Sequence, residues 1–330
     1  MIRFLAAFSL LPSVALADVP RVMTDIAPIH SLTAQVMGDL GQPDVLLPPG
    51  ADPHDYALRP SDAERLGAAD LVIWVGESLT PWLEEPLETL APQAPRFELL
   101  EVGGWEKLEA RGKGDHGHED HGHDDHGHDD HGHDDHGHDD HGHDDHDHGH
   151  DHAHDHGDYD PHAWLDPVVA QTWVSAIASE LSTLDPDNAA TYAANAKSTI
   201  AALAALEADL AAQLAGLSER AYILPHDGYQ YFEARFGLTA QAAISGIDAR
   251  TPGPAQIAAL REEMAAQNVV CVFSDAEIGD RWATVIIEGT SAKTAAIDGV
   301  GAGLAAGPAL YGQMLERLAA QFAGCLGPNT

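Results

Sequence analysis

Short apolar runs alternate with segments of helical spacing along most of this chain. The runs in RVMTDI, DVLLPPG and LVIWVG are bounded by Pro, Gly or Asp, which predicts buried strands. The segments between them have apolar residues at helical spacing, and we expect the helix in SDAERLGAAD to begin with a capping box from Ser61 to Glu64. Strands that alternate with helices favour an α/β fold with a parallel sheet, whose ligands bind at the carboxyl ends of the strands.

The longest helical pattern, DNAATYAANAKSTIAALAALEADLAAQLAGL, begins at Asp185 and ends near Gly216. About 30 residues with a rise of ~1.5 Å each make a rod of ~45 Å, which predicts a spine between two lobes. Beyond it, the segments AYILP, TAQAAI, VVCVFSD and KTAAID predict four more strands separated by helices. We therefore predict an N-terminal α/β lobe over 18–184, a linker helix over 185–217 and a second α/β lobe over 218–330.

The N-terminus, MIRFLAAFSLLPSVALA, has the form of a secretory signal peptide over residues 1–17. It has a positive charge at Arg3, an apolar run, and small residues before a cleavage site near Ala17. No later segment reaches the ~18 unbroken apolar residues of a membrane span, and no Cys follows the cleavage site to carry a lipid. We expect a soluble protein outside the cytoplasm without a membrane anchor.

A His/Asp/Gly tract interrupts the first lobe. The unit H-G-H-[DE]-D occurs six times from His116 to Asp145, and 18 of the 22 histidines lie within the tract. Its period of five matches neither helix nor strand, so we predict a disordered loop over about 112–158. The alternatives are an acidic spacer and, favoured here, a set of weak metal sites. The histidines in question are His116, His118, His121, His123, His126, His128, His131, His133, His136, His138, His141, His143, His146, His148, His150, His152, His154 and His156.

Charge and cysteine content narrow the function further. The formal net charge is -37, and the chain stays acidic without its tract, which makes nucleic acid an improbable partner and a cation a natural one. Two cysteines, Cys271 and Cys325, are present. In an oxidising compartment, a chain with only two cysteines favours a disulfide between them. Buried free thiols are the alternative.

Four histidines lie outside the tract. His54 in GADPHDY, His162 in DPHAWLDP and His226 in LPHDGYQYF follow predicted strands or turns, where separate loops converge on one ligand. Each has an acid nearby, at Asp55, Asp160 or Asp227, that could orient its imidazole. Three imidazoles suit zinc better than manganese or magnesium. The remaining histidine, His30, lies between apolar neighbours and is interpreted as structural.

At these motifs the sequence resembles the ZnuA-type periplasmic zinc-binding proteins of ABC-type uptake systems. The motifs HDYALRPSDAERL, PHAWLDP after a His/Asp-rich insert, HDGYQYFEARFGL and VVCVFSD occur in the order seen in that family and span essentially the whole mature chain. The resemblance implies two α/β lobes joined by a long rigid helix, with zinc in the cleft between them. It also implies that His54, His162 and His226 are the ligands, and that a monomer delivers Zn²⁺ to a membrane permease.

The fourth ligand stays open at this stage. Some members of the family have Glu before the first ligand histidine, where this chain has Pro53, and manganese-binding relatives use a late Asp that corresponds to Asp298 here. Water and Asp298 are therefore the candidates. Two other functions compete with uptake: zinc storage or chaperoning by the tract, and a zinc hydrolase, which lacks support from an H-E-x-x-H motif or an obvious general base.

Overall fold

The computed structural model describes residues 19–111 and 159–327, which form two α/β lobes flanked by helices, as predicted. The strands are β1 (Val22–Thr24), β2 (Asp44–Val45), β3 (Leu71–Trp74), β4 (Arg96–Glu98), β5 (Tyr222–His226), β6 (Ala242–Ser245), β7 (Cys271–Ser274) and β8 (Lys293–Ala296). The helices are α1 (Ala27–Met37), α2 (Pro60–Gly67), α3 (Glu84–Leu90), α4 (Pro167–Leu184), α5 (Ala189–Leu214), α6 (Gln230–Phe236), α7 (Pro254–Gln267), α8 (Asp280–Ile287) and α9 (Leu310–Leu326). The tract and the predicted signal peptide lie outside the described residues.

The two sheets have the same topology. The N-terminal sheet has the order β2-β1-β3-β4 and the C-terminal sheet the order β6-β5-β7-β8, and all their pairings are parallel. In each sheet the two central strands run side by side, so their carboxyl ends form a switch point at which a ligand can bind. Every residue of β3, β5 and β7 is buried, in keeping with the continuous apolar runs in the sequence.

Strand β2 is shorter than the apolar run in DVLLPPG suggests. The amides of Leu46 and Leu47 donate to the carbonyls of Thr24 and Asp25, at 2.8 and 3.0 Å. The next two residues are prolines, which have no N–H to continue the pairing. The chain therefore turns away from the sheet and runs towards His54.

The predicted capping box at Ser61 is wrong. Helix α2 begins at Pro60, and the residue before it, Arg59, is the N-cap. The Asp62 side chain accepts a hydrogen bond from the Arg59 amide at 3.1 Å. Proline is favoured at the first position of a helix because its φ is preset and it lacks only an amide that would be unpaired there, so the helix starts two residues earlier than the Ser/Glu pattern indicates.

Helix α5, with 26 residues, confirms the predicted long helix. A 3-10 turn, Pro186–Asn188, precedes it, and Asp185 accepts hydrogen bonds from Asn188 Nδ2 at 2.7 Å and from the Tyr192 hydroxyl at 2.8 Å. Helix α5 packs against α4 and α1 on one side and against α9 and α6 of the second lobe. It therefore spans both lobes.

One apolar core runs through both lobes. It includes Trp164 and Trp173 from the N-terminal side and Tyr311 and Phe322 from the C-terminal side, all fully buried. Hydrogen bonds add to it across the lobes: Trp164 Nε1 donates to Gly299 O at 2.8 Å, and the Tyr311 hydroxyl donates to Trp164 O at 2.6 Å. The other face of each sheet has its own smaller core. A shared core and shared hydrogen bonds thus join the two walls of the cleft.

The predicted disulfide between Cys271 and Cys325 is present and ties β7 to α9. It fixes the central strand whose carboxyl end borders the cleft. Across the stretches that the structure covers, no helix has both the length and the apolar character that crossing a membrane requires.

Candidate metal centre

The C-terminal lobe contributes a buried histidine and acid at its switch point. His226 is the last residue of β5, and Asp275 follows the neighbouring strand β7. His226 Nδ1 and Asp275 Oδ2 are 2.8 Å apart, and both side chains are about 95 % buried. An Nδ1–H that donates to a carboxylate leaves the Nε2 lone pair available, which is the arrangement of a metal-binding imidazole.

His162 is positioned by a second acid in the same way. It follows Asp160, whose Oδ1 accepts hydrogen bonds from both the His162 amide and the ring Nδ1, each at 2.8 Å. Asp160 is fully buried, and its own amide donates to Leu108 O at 2.9 Å. The Asp160 carboxylate therefore fixes both the backbone and the ring of His162, and Nε2 faces away from it.

His54 comes from the turn that follows β2 and is the more accessible of the three. Its amide donates to Asp52 Oδ1 at 2.8 Å, and Trp82 Nε1 holds the turn through Pro53 O at 2.8 Å. The His54 side chain is half-buried, whereas His162 and His226 are each only 3 % exposed. His54 is therefore the histidine of the three that lies nearest to solvent.

The three imidazoles converge on one point. Their ring centroids are 5.3 Å apart for His54 and His162, 5.3 Å for His162 and His226, and 6.4 Å for His54 and His226. One ring nitrogen from each lies within 4.8 Å of the others. Three converging neutral imidazoles are a zinc-type ligand set with room for a further ligand.

Gly228 makes this close approach possible. A Cβ at this position would lie 2.2 Å from His226 Nε2 and 2.9 Å from His162 Nε2. Any side chain here would strike both imidazoles. The motif HDGYQYF thus places a glycine where the two nitrogens need open space.

Carboxylates adjoin the histidines on the cleft side. Glu277 forms one cluster with Asp52 and His54 and another with His226 and Asp275, and its Oε2 lies 3.5 Å from His226 Nε2. Sequence reasoning missed both Glu277 and Asp275, although VVCVFSD was recognised as a strand. Asp275 directly follows that buried strand, and this position was the available signal.

The other acids suggested from the sequence have different roles. Asp227 pairs with Arg111 at 2.9 Å, and Asp275 occupies the place beside His226 that was expected for Asp227. Asp55 lines the cleft, but the acid that contacts the His54 backbone is Asp52. Asp160 alone lies beside the histidine for which it was suggested.

Asp298 lines a pocket together with Asp275 and Glu277, but its carboxylate is bound by its own loop. Its Oδ1 accepts from the amides of Val300, Gly301 and Ala302 at 3.1, 2.7 and 3.1 Å, and its Oδ2 accepts from Gly303 at 3.3 Å. None of the metal-type clusters found in the described residues includes it. The carboxylate organises the loop after β8, a role that its position in the sequence does not indicate.

The electrostatics of the site centre on His226. Burial would lower the pKa of its imidazole, but the charges of Glu277 and Asp275 and the hydrogen bond to Asp275 outweigh that and raise the pKa to about 9. Burial raises the pKa of Glu277, and the nearby His226 opposes that rise. The two carboxylates therefore favour a proton on the His226 ring when no metal is bound, and a cation that binds Nε2 displaces that proton.

A cleft of about 860 Å³ opens onto this cluster from solvent. Its walls come from both lobes and include His54, Asp52 and Glu277. Arg111 and Tyr159, the described residues on either side of the tract, also line it. The accessory sites predicted for the tract histidines themselves fall outside the described residues. His30 lies away from the cluster, buried, with Nε2 3.0 Å from Pro43 O.

Comparison with known proteins finds relatives that match nearly the whole chain. The family model described as the zinc-uptake complex component A, periplasmic (ZnuA) matches residues 22–325. The high-affinity zinc uptake system protein ZnuA of Paracoccus denitrificans is 46% identical over 316 residues, which cover 96% of this chain and 94% of that protein. The protein of the same name from Brucella abortus is 39% identical over 310 residues, with 92% and 91% covered.

Solved structures support the fold. A crystal structure of ZnuA superposes with a TM-score of 0.72 at 21% identity and covers 94% of this chain and 100% of that one. A zinc-bound ZnuA deletion mutant gives 0.73 at 21% identity, with 95% and 100% covered. The periplasmic zinc-binding protein TroA from Treponema pallidum gives 0.72 at 17% identity, with 94% and 99% covered.

Proposed function

Because the chain belongs to the ZnuA family of periplasmic zinc-uptake components, we propose that it captures Zn²⁺ between its lobes and delivers the ion to the permease of an ABC-type importer. His54, His162 and His226 hold the ion through their Nε2 atoms. The observation that carries this proposal is the arrangement of the three imidazoles. Nδ1 of His162 and Nδ1 of His226 are each hydrogen-bonded to a carboxylate. One ring nitrogen of each of the three histidines lies within 4.8 Å of the others.

The protein suits a transport role because its ligands are prearranged yet reachable. The shared core holds the cleft walls, so little ordering has to accompany binding. The half-buried His54 leaves a path for the ion to enter from the cleft and to leave towards a permease. The protein acts in the periplasm and carries Zn²⁺ as its cargo.

The test is the affinity of the mature protein for zinc in competition with a chelator. Changing His54, His162 and His226 together to Ala should remove the tight site. His30→Gln is the matched control, because it removes a histidine that is outside both the cluster and the tract. If the triple variant still binds one zinc as tightly as the wild type, the ligand assignment is wrong.

A titration of a protein that lacks residues 115–156 separates uptake from storage. An uptake receptor keeps one tight site and loses several weak ones when the tract is removed. A storage or chaperone protein, in which the tract is the principal site, loses its tight binding instead. Repeating the titration with Mn²⁺, Cu²⁺ and Cd²⁺ defines the selectivity of the cleft.

We also propose that the zinc site has no catalytic role, since the relatives are named as uptake proteins. A zinc hydrolase would need the same three imidazoles and an open position. Assays with ester, peptide and β-lactam substrates test this. Turnover that disappears when the metal is removed would contradict this proposal and indicate a catalytic zinc site.

A further inference from the structure

Glu277 is the acid common to the two mixed clusters around the histidines. One cluster joins it to Asp52 and His54, and the other to His226 and Asp275, with the ligand atoms of each cluster within 4.8 Å of one another. We propose that Glu277 is the fourth zinc ligand, in place of water or Asp298. This inference rests on the proposed function, because it takes the three histidines as the other ligands.

The distance between Glu277 and His226 fits a shared zinc ion. In a tetrahedral site with bonds of ~2.0–2.1 Å, two ligand atoms lie ~3.3–3.4 Å apart. His226 Nε2 and Glu277 Oε2 are 3.5 Å apart. Both atoms are buried, and neither has a hydrogen-bond partner among the described residues. A zinc ion placed between them would satisfy two buried polar atoms at once.

Asp275 fixes the relative position of these two ligands. Its Oδ2 bonds His226 Nδ1 at 2.8 Å, while its Oδ1 accepts from the Glu277 amide at 3.1 Å and the Ile278 amide at 2.9 Å. A single carboxylate therefore holds the histidine ring and the backbone that carries Glu277. Such support keeps a ligand pair at its spacing before the metal arrives.

The competing carboxylates are less suited to the position. The Asp298 carboxylate already accepts four hydrogen bonds from the backbone amides of its own loop, three through Oδ1 and one through Oδ2. Asp52 is committed through Oδ1 to the His54 amide. No cluster in the described part of the chain unites Asp52 with His162 or His226. Glu277 lies in one cluster with His54 and in another with His226, and its Oε2 has no hydrogen-bond partner among the described residues.

The proposed set takes two ligands from each lobe: His54 and His162 from the first, His226 and Glu277 from the second. A carboxylate adds a negative charge to three neutral imidazoles, so the net charge of the occupied site is lower than with water. Glu277 also lines the solvent-facing cleft, so its release would open the site on the side from which the ion leaves.

The experiment uses the full mature chain, with less than one equivalent of metal so that the tight site fills first. Chelator competition gives the zinc Kd, and ¹¹³Cd NMR reports the ligand set directly. For Glu277→Gln we expect Kd to rise roughly tenfold to a hundredfold and the tight-site cadmium resonance to move. Asp298→Asn is the matched control and should leave the resonance in place. The melting temperature of each metal-free variant shows that it is folded.

Two results would overturn the assignment of Glu277. One is a Glu277→Gln protein with the wild-type Kd and an unmoved resonance. The other is a moved resonance in Asp298→Asn instead. The His162→Ala variant tests the underlying function separately: if it binds zinc as tightly as the wild type, the histidine set fails, whatever Glu277 does.

Discussion

The switch point between the two central strands holds an acid in one lobe and a histidine–acid pair in the other. In the N-terminal lobe, Asp25 follows β1 and accepts from the Ile26 amide through Oδ1 and from the Val75 amide, just past β3, through Oδ2, both at 2.7 Å. In the C-terminal lobe, His226 ends β5 and bonds Asp275, just past β7. The two sheets share one strand order. At the switch point of the N-terminal lobe the acid binds backbone amides, whereas at that of the C-terminal lobe the acid binds a histidine, which presents its other ring nitrogen.

The same sheet topology therefore serves backbone bonding in one lobe and the orientation of a histidine in the other. Both oxygens of Asp25 are used by its own lobe, so nothing at that switch point faces the cleft. The N-terminal lobe instead supplies His54 and His162 from loops beyond its strands. The site is therefore asymmetric, with a buried, charged half built on strand ends and a more accessible half built on loops. The following predictions are ordered by their expected effect on zinc affinity.

Gly228→Ala should break the C-terminal half of the site most severely. The added Cβ would lie 2.2 Å from His226 Nε2, so the ring must move and zinc affinity should fall roughly a hundredfold or more. Gly312→Ala, a glycine of α9 with nothing within 4 Å of its added Cβ, is the control and should bind zinc normally. Chelator competition on both proteins checks the comparison, and normal zinc binding by Gly228→Ala would contradict it.

Asp275→Asn and Asp25→Asn should have different effects, because the first changes the acid at the switch point of the zinc site and the second changes the acid at the other switch point. Loss of the carboxylate that orients His226 should weaken zinc binding roughly tenfold to a hundredfold. Asp25→Asn should leave zinc affinity unchanged and lower the free energy of unfolding by about 1–3 kcal/mol, because a buried backbone amide loses its acceptor. Zinc titration and urea unfolding of each variant measure the two effects. Equal loss of affinity in both would show that the lobes do not divide their roles in this way.

Zinc affinity should rise with pH beyond the range expected for an ordinary histidine. The pKa of His226 is raised to about 9, so zinc must displace a proton, and affinity should increase about tenfold per pH unit from pH 7 towards 9. The same proton stabilises the metal-free fold below pH ~6.5, and that contribution disappears as pH rises through about 9. Calorimetry at pH 7.5 in buffers of different ionisation enthalpy should detect about one proton released per zinc. A binding heat that is independent of the buffer would refute this.

Replacing Cys271 and Cys325 with Ser should have the smallest effect on zinc binding. The disulfide closes a loop with a sequence separation of 54 residues, which stabilises the fold by roughly 4 kcal/mol on the chain-entropy model. Both cysteines are buried, Cys271 in β7 and Cys325 in α9, and neither lines the cleft. The double variant should melt at a lower temperature and keep the wild-type Kd. A large change in Kd would mean that β7 needs the disulfide to hold Asp275 in position.

The sequence by itself determined the fold class, the long helix, the disulfide and the three histidines as candidates. Continuous apolar runs such as LVIWVG and VVCVFSD specify buried parallel strands because both faces of such strands are covered. Setting the tract aside leaves so few histidines that those after strands and turns stand out. These features depend on local pattern or on composition, which can be read along the chain.

The tertiary structure decided which acids serve the histidines. Asp227 is adjacent to His226 in sequence but pairs with Arg111, whereas Asp275, 49 residues away, orients the ring. The sequence suggested Asp298, but four backbone amides engage it, while Glu277, which the sequence did not indicate, lies beside His226 Nε2. A carboxylate reaches only a few ångströms, so its partner depends on which strand ends the fold places together, and that is settled only when the two sheets pack around their shared core.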